Sequence, residues 1–133
     1  MASWQQIRQY ISESFTVNKD LGESILLQFN VEGQRSQLVM VSHHQLMDGA
    51  EDWLVIESPI GPLARVDLQR ALVQTDGMTC GGLGVLTGQP DLLAVRHAVP
   101  LENLDLNEFQ RPLGLVTVMA DTFEAAFIGG DQF

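Results

Sequence analysis

"SILLQFNVEGQRSQLVMVSHH" runs from Ser24 to His44, and its reading decides the fold. In the first eight residues Ile25, Leu27, Phe29 and Val31 alternate with Ser24, Leu26, Gln28 and Asn30, the period of two that marks a strand. Glu32-Gly33-Gln34 supplies the glycine that a tight turn needs. Arg35 to His44 then reads as the returning strand of a hairpin. A connection this short joins antiparallel neighbours.

Working outward, Ser3 to Phe15 places Trp4, Ile7, Ile11 and Phe15 at helical spacing, with Ser3 as the N-cap. Beyond a polar loop around Asp48-Gly49, Asp52 to Ser58 reads as a third strand, which Pro59-Ile60-Gly61-Pro62 is expected to stop. Leu63 to Thr75 returns to helical period through Leu63, Val66, Arg70 and Val73, with Leu68 and Leu72 beside them. GGLGVLTG and PDLLAVRHAV form a second hairpin across Gly88-Gln89-Pro90-Asp91.

The last segment, Asp105 to Phe127, carries the stripe Phe109, Leu113, Val116, Ala120, Phe123 and Phe127. Asp105 with Glu108 three residues later resembles a capping box, and Pro112 is expected to break or kink the helix near Arg111. The stripe is wide enough to pack on the chain's own sheet, leaving Leu115, Val118 and Met119 for the first helix or an exposed flank. The order is helix, three strands, helix, two strands, helix. This is an α+β fold in one domain, residues 1–133, with a mainly antiparallel sheet and helices on one face.

Composition narrows the function. Apolar residues make up 45% and charged residues 18% of 133, which is a folded chain. No run of apolar residues is long enough for a transmembrane helix. MASWQQIRQYIS lacks the basic-then-apolar pattern of a signal peptide, so the expected location is the cytoplasm. Seven Lys and Arg face 17 Asp and Glu, a net charge of −10 that argues against nucleic-acid and anionic-membrane partners. The acidity serves either solubility or the choice of partner.

Residues of catalytic type are few. Cys80 is the sole cysteine, so neither an intrachain disulfide nor a thiolate zinc site is possible, and no cofactor is called for. With Gly81 and Gly82 after it, Cys80 is either an exposed nucleophile or a small inert residue. His43 and His44 are neighbours on a strand, point to opposite faces and cannot share one metal ion. There is no GxSxG elbow and no P-loop lysine after the glycines 81, 82 and 84, which are expected to relieve crowding under a crossing helix or chain.

One feature stands above this. The first three strands carry apolar residues on both faces: Leu26 against Ile25 and Leu27, Leu38 and Met40 against Val39 and Val41, Trp53 and Val55 against Leu54 and Ile56. A sheet with one solvated face alternates with polar residues. Either helices cover part of the second face, or it docks a partner segment or a twin subunit.

The order of elements resembles the class I type III secretion chaperones and the wider YbjN-type chaperone-like family, over the whole chain from Ser3 to Phe127. The most specific part is GGLGVLTGQPDLLAVRHAVPLENLDLNEFQ, similar to that family's second hairpin and the lead-in to its last helix, here Leu104, Asp105 and Phe109. Two features depart from the family: Met78-Thr79-Cys80 stands where YbjN-type members carry tryptophan-asparagine, and Pro112 falls in a helix that relatives keep continuous.

The resemblance implies a non-catalytic protein that binds an extended or helical segment of a client or other partner. Partner-binding positions map onto Trp4, Ile7, Ile11, Leu26, Val39, Val41 and Trp53. A homodimer contact maps onto the middle helix and second hairpin, at Val66, Arg70, Val73, Leu83 and Val85. The alternatives are a YbjN-type regulatory protein with no secreted client, and a small enzyme using Cys80.

Overall fold

The computed structural model describes residues 2–129. Helix α1 (Trp4–Ser14) starts at Ser3, which closes a capping box with Gln6. The Gln6 amide donates to Ser3 Oγ at 3.2 Å and the Ser3 amide to Gln6 Oε1 at 2.9 Å. Two otherwise orphaned amides of the first turn are satisfied this way. Strands β1 (Val17–Asp20), β2 (Ser24–Val31), β3 (Arg35–Leu46) and β4 (Glu51–Pro62) follow. Helix α2 (Leu68–Gln74), strands β5 (Gly82–Leu86) and β6 (Gln89–Pro100), and helix α3 (Leu106–Phe127) complete the chain.

The strands form one antiparallel sheet in the order β1-β2-β3-β4-β6-β5. This is the α+β architecture expected, with one strand more than the sequence suggested. Strand β1 reads Val-Asn-Lys-Asp and is exposed throughout, so no apolar alternation announces it. Its charges suit an edge, where they discourage pairing with other chains.

Register decides which residues meet the helices. Val31 pairs with Arg35 across the turn, where Gly33 has φ +75°, so odd-numbered residues of β2 lie opposite odd-numbered residues of β3. Cross-strand partners share a face. Ile25 faces Val41 and Leu27 faces Val39, and all four are buried with Leu54, Ile56 and Val95 beneath the helices. Val39 and Val41 therefore belong to the core, contrary to their assignment to a partner surface. Ile7 and Ile11 are corrected in the same way, being 2% and 0% exposed as the inward stripe of α1.

The opposite face of the sheet carries Leu26, Leu38, Met40, Trp53 and Val55. There Glu57 is fully buried, and its Oε1 accepts from the Thr87 amide and hydroxyl at 3.0 and 2.8 Å. Arg96 Nε lies 2.7 Å from the same oxygen. A Cβ at Gly84 would come within 3.0 Å of Arg96 Cδ, so this glycine makes room for the arginine and not for a crossing helix.

Three boundaries differ from the sequence reading. Strand β4 runs through Pro59 because its pairing with β3 ends at Glu57. Beyond that point only β6 remains as a ladder neighbour, and the Pro59 carbonyl accepts from Gln37 Nε2 at 2.8 Å. Proline is tolerated where one side of the ladder is already open. The expected helix over residues 63–75 contracts to α2, flanked by short 3-10 turns at Leu63–Arg65 and Thr75–Gly77.

Helix α3 continues through Pro112 without a break. Proline removes one ladder bond there, and the burial of Phe109, Leu113 and Val116 on either side outweighs that loss. Five of the six residues of the stripe expected for α3 are buried and Phe127 is half-buried, and the helix packs on β4, β6, β3 and β2.

Candidate functional site

Aromatic residues from three elements define an open groove. Tyr10 meets Phe109 edge-on at 6.1 Å and Phe15 at 5.7 Å, and Phe15 meets Phe29 at 5.5 Å. Edge-to-face contacts at these separations fix ring orientation beyond simple burial. Tyr10, Phe15 and Phe29 line one side, with Phe109 buried behind Tyr10, and Leu113 and Val118 of α3 line the other, around about 430 Å³. Val118 is 57% exposed at the rim.

Gly114 lines the same groove, and a Cβ there would meet nothing within 4 Å. Glycine inside a helix costs about 0.5–1 kcal/mol relative to alanine. No packing contact demands it here, and what it contributes is space. Gln110 donates to the Tyr10 hydroxyl and ties α3 to α1 at the groove's end. The sequence reading left Val118 for the first helix or an exposed flank, and the juxtaposition of Phe15, Phe29 and Leu113 was not visible in it. Its one signal was the apolar surplus beside the α3 stripe.

A second, more polar cleft of about 520 Å³ lies at the N-terminus of α1, lined among others by Trp4, His43, Asp52, Trp53 and Glu102. Trp4 and Trp53, two of the expected partner-binding residues, both border this cleft. Trp4 stacks on His43 at 5.6 Å with an interplanar angle of 14°, and Trp53 Nε1 donates to Glu51 Oε1 at 3.0 Å. Leu26 sits apart from both, half-buried on the uncovered sheet face. The seven expected residues therefore divide: Trp4, Leu26 and Trp53 reach the surface, and Ile7, Ile11, Val39 and Val41 do not.

The expected dimer residues divide as well. Val66 is buried in the core and Leu83 packs against it from β5. Ala71 supplies the inward contact of α2 and Val66, just before the helix, is buried too, so Val66 is corrected from an interface to a core residue. Arg70 holds its guanidinium 5.2 Å over the Phe127 ring, a cation–π contact between α2 and α3. Val73 is 69% exposed, Leu72 60% and Val85 39%. With Leu68 at 42%, Leu72 and Val73 leave an apolar face on α2, and Val85 is exposed on the edge strand β5. The sequence reading placed Leu68 and Leu72 beside the stripe and did not single them out as interface residues.

The candidate nucleophile is poorly activated. Cys80 Sγ lies 3.5 Å from His97 Nδ1 in a partly buried setting. Burial pushes the thiol's pKa up, with Arg111 pulling weakly the other way, and burial lowers that of His97. A protonated thiol is a weak nucleophile at neutral pH. His43 and His44 lie on opposite faces, and no group of three His, Cys, Asp or Glu among the described residues is arranged to hold a metal ion. No helix among them is long and apolar enough to cross a membrane.

No family model matches the sequence, and no curated protein matches it. Among solved structures, a chain of the HopA1–SchA chaperone–effector complex is similar in fold, with a TM-score of 0.56 at 13% sequence identity. The similarity covers 87% of this chain and 86% of that one. Identity that low speaks for architecture alone, and the architecture is an α+β fold shared with that chain.

Proposed function

We propose that this chain is a non-catalytic, single-domain, cytoplasmic partner-binding protein of chaperone-like action. It takes an apolar segment of another protein into the groove between α1 and α3, and works as a homodimer through the exposed faces of α2 and β5. The observation that carries this reading is the groove itself. It is an open, aromatic-walled channel on a fold shared with a chain of a chaperone–effector complex, and Gly114 widens it at a cost in helix stability.

Binding would gain about 25 cal/mol for each Å² of apolar surface buried, less the ordering of the segment. The net charge of −10 favours segments with basic flanks. Trp4, Leu26 and Trp53 lie outside this groove, Leu26 and Trp53 on the other face of the sheet, and serve as a separate partner contact, and Arg70, Val73, Leu83 and Val85 belong to the dimer contact.

Co-expression with the products of neighbouring genes tests the reading. One product should form a stable complex with the wild-type chain. Val118→Glu should weaken that complex at least tenfold while leaving folding stability within about 0.5 kcal/mol, as expected of an exposed substitution. A complex indifferent to Val118→Glu, or no complex with any neighbouring product, overturns the proposal.

A further inference from the structure

The His43 imidazole is held from three sides. Its Nδ1 lies 2.6 Å from Glu23 Oε2 in the β1–β2 turn, and its Nε2 lies 2.8 Å from Asp52 Oδ1 on β4. The indole of Trp4, in the first turn of α1, stacks on its face. A neutral imidazole has one N–H, so one of the two carboxylates would then face a nitrogen lone pair. Only the imidazolium donates to both, and a cation beneath an indole gains further from the ring's negative face.

We propose that His43 is a proton-operated latch. As an imidazolium it clamps the β1–β2 turn, β4 and the N-terminus of α1 together, and loss of its proton loosens Trp4 and the wall of the adjoining cleft. The latch does not depend on any partner being bound.

The charged groups on every element packed around the ring favour the proton. Glu23 of the β1–β2 turn and Asp52 of β4 touch the ring, Glu51 of β4 and Glu102 after β6 line the same cleft, and Asp20 of β1 is engaged by Arg8. The one cation nearby on α1 is Arg8, which pairs with Asp20 at 2.7 Å and donates to the Gly22 carbonyl at 2.6 Å. On β3 itself, Gln45 is uncharged and shares Asp52, and His44 is on the opposite face. Burial alone would push His43 down. The hydrogen bonds to Asp52 and Glu23, with their charges, outweigh it and raise His43 above its ordinary value.

A raised pKa means that the latch contributes fully below about pH 6.5, the unfolded value. Its contribution is lost as pH rises through the pKa of folded His43. Glu23 and Asp52 are both well exposed and turn to water once the proton leaves. Trp4 then loses the charged partner beneath its ring and is left with its Nε1 bond to the Gly22 carbonyl at 3.2 Å, the Arg8 guanidinium 6.0 Å over its ring and its packing against the core.

NMR of the intact protein from about pH 5 to about pH 9 tests this, spanning the histidine range. The two indole N–H signals are assigned with Trp53→Phe. The His43 ring should titrate above the ordinary histidine value, with the Trp4 indole N–H shifting at the same midpoint. Above that midpoint the amides of Ile7 and Arg8 should exchange several-fold faster, after correction for the intrinsic pH dependence of exchange.

Asp52→Asn should lower the His43 midpoint. His43→Gln should hold the Trp4 signal and the amide exchange at their alkaline values at every pH. A His43 midpoint at or below the ordinary value overturns the latch. So does a Trp4 signal that stays flat through that midpoint, or a His43→Gln protein that keeps the acid-form signals.

Discussion

Single side chains in this protein owe their roles to which face of the sheet they meet. Phe123 of α3 is 4% exposed and stacks on Phe127 at 5.7 Å. Removing a well-packed phenylalanine costs about 3–5 kcal/mol, a large part of the roughly 5–15 kcal/mol that holds a domain together. Phe123→Ala should therefore lower the urea midpoint sharply, by the same amount at every protein concentration, because the ring packs within its own chain. A cost that fades on dilution would place Phe123 at a subunit interface. Val39 and Val41 teach a related lesson. Both alternate with Leu38 and Met40 along β3, and alternation alone does not say which set is inside. The odd-to-odd pairing across the Glu32–Gln34 turn does, and it was open to counting once the turn length was known.

At the scale of the element, α3 is the test of local rules against packing. Its N-terminus obeys them, since Asp105 accepts from the Glu108 amide at 2.9 Å. Pro112 breaks them and the helix persists. Helix-interior proline costs about 3 kcal/mol through the lost bond and the ring's clash with the preceding turn. Pro112→Ala should recover part of this, about 1–3 kcal/mol, read as a higher melting temperature with α3 amides near Glu108 better protected. No gain, or a loss, would mean that the half-buried ring itself holds the groove end of α3 in place. Helix α2 shows the reverse case. Its apolar pattern predicted a long helix, yet only Leu68–Gln74 is α-helical, and three of its apolar residues face outward.

For the whole molecule, that outward face is the strongest reason to expect a second copy. Leu72 and Val73 of α2 are more than half exposed, and Val85 is exposed on the edge strand β5, apolar residues suited to an isologous contact. Light scattering should give twice the chain mass at micromolar concentration. Leu72→Glu should shift it to the monomer with stability little changed after dilution. A monomeric mass for the wild-type chain at high micromolar concentration removes the dimer from the proposal.

The hairpins, the Ser3 cap, the α3 stripe and the α+β class were legible in the amino-acid sequence because each is a property of one element or one turn. Period two, period 3.6 and a capping residue are local signals. Strand β1 escaped because one valine among three polar residues carries no period, and the passage of β4 through Pro59 escaped because it depends on where β3 stops pairing. The sites were less legible still. The groove joins Tyr10 to Gln110, 100 residues apart, and the latch joins Trp4, Glu23, His43 and Asp52 from four separate segments. Burial of Ile7, Ile11, Val39 and Val41, and exposure of Leu72, Val73 and Val118, follow from how helices settle on one face of a twisted sheet. That outcome sums many contacts between distant residues, and no single stretch of sequence contains it.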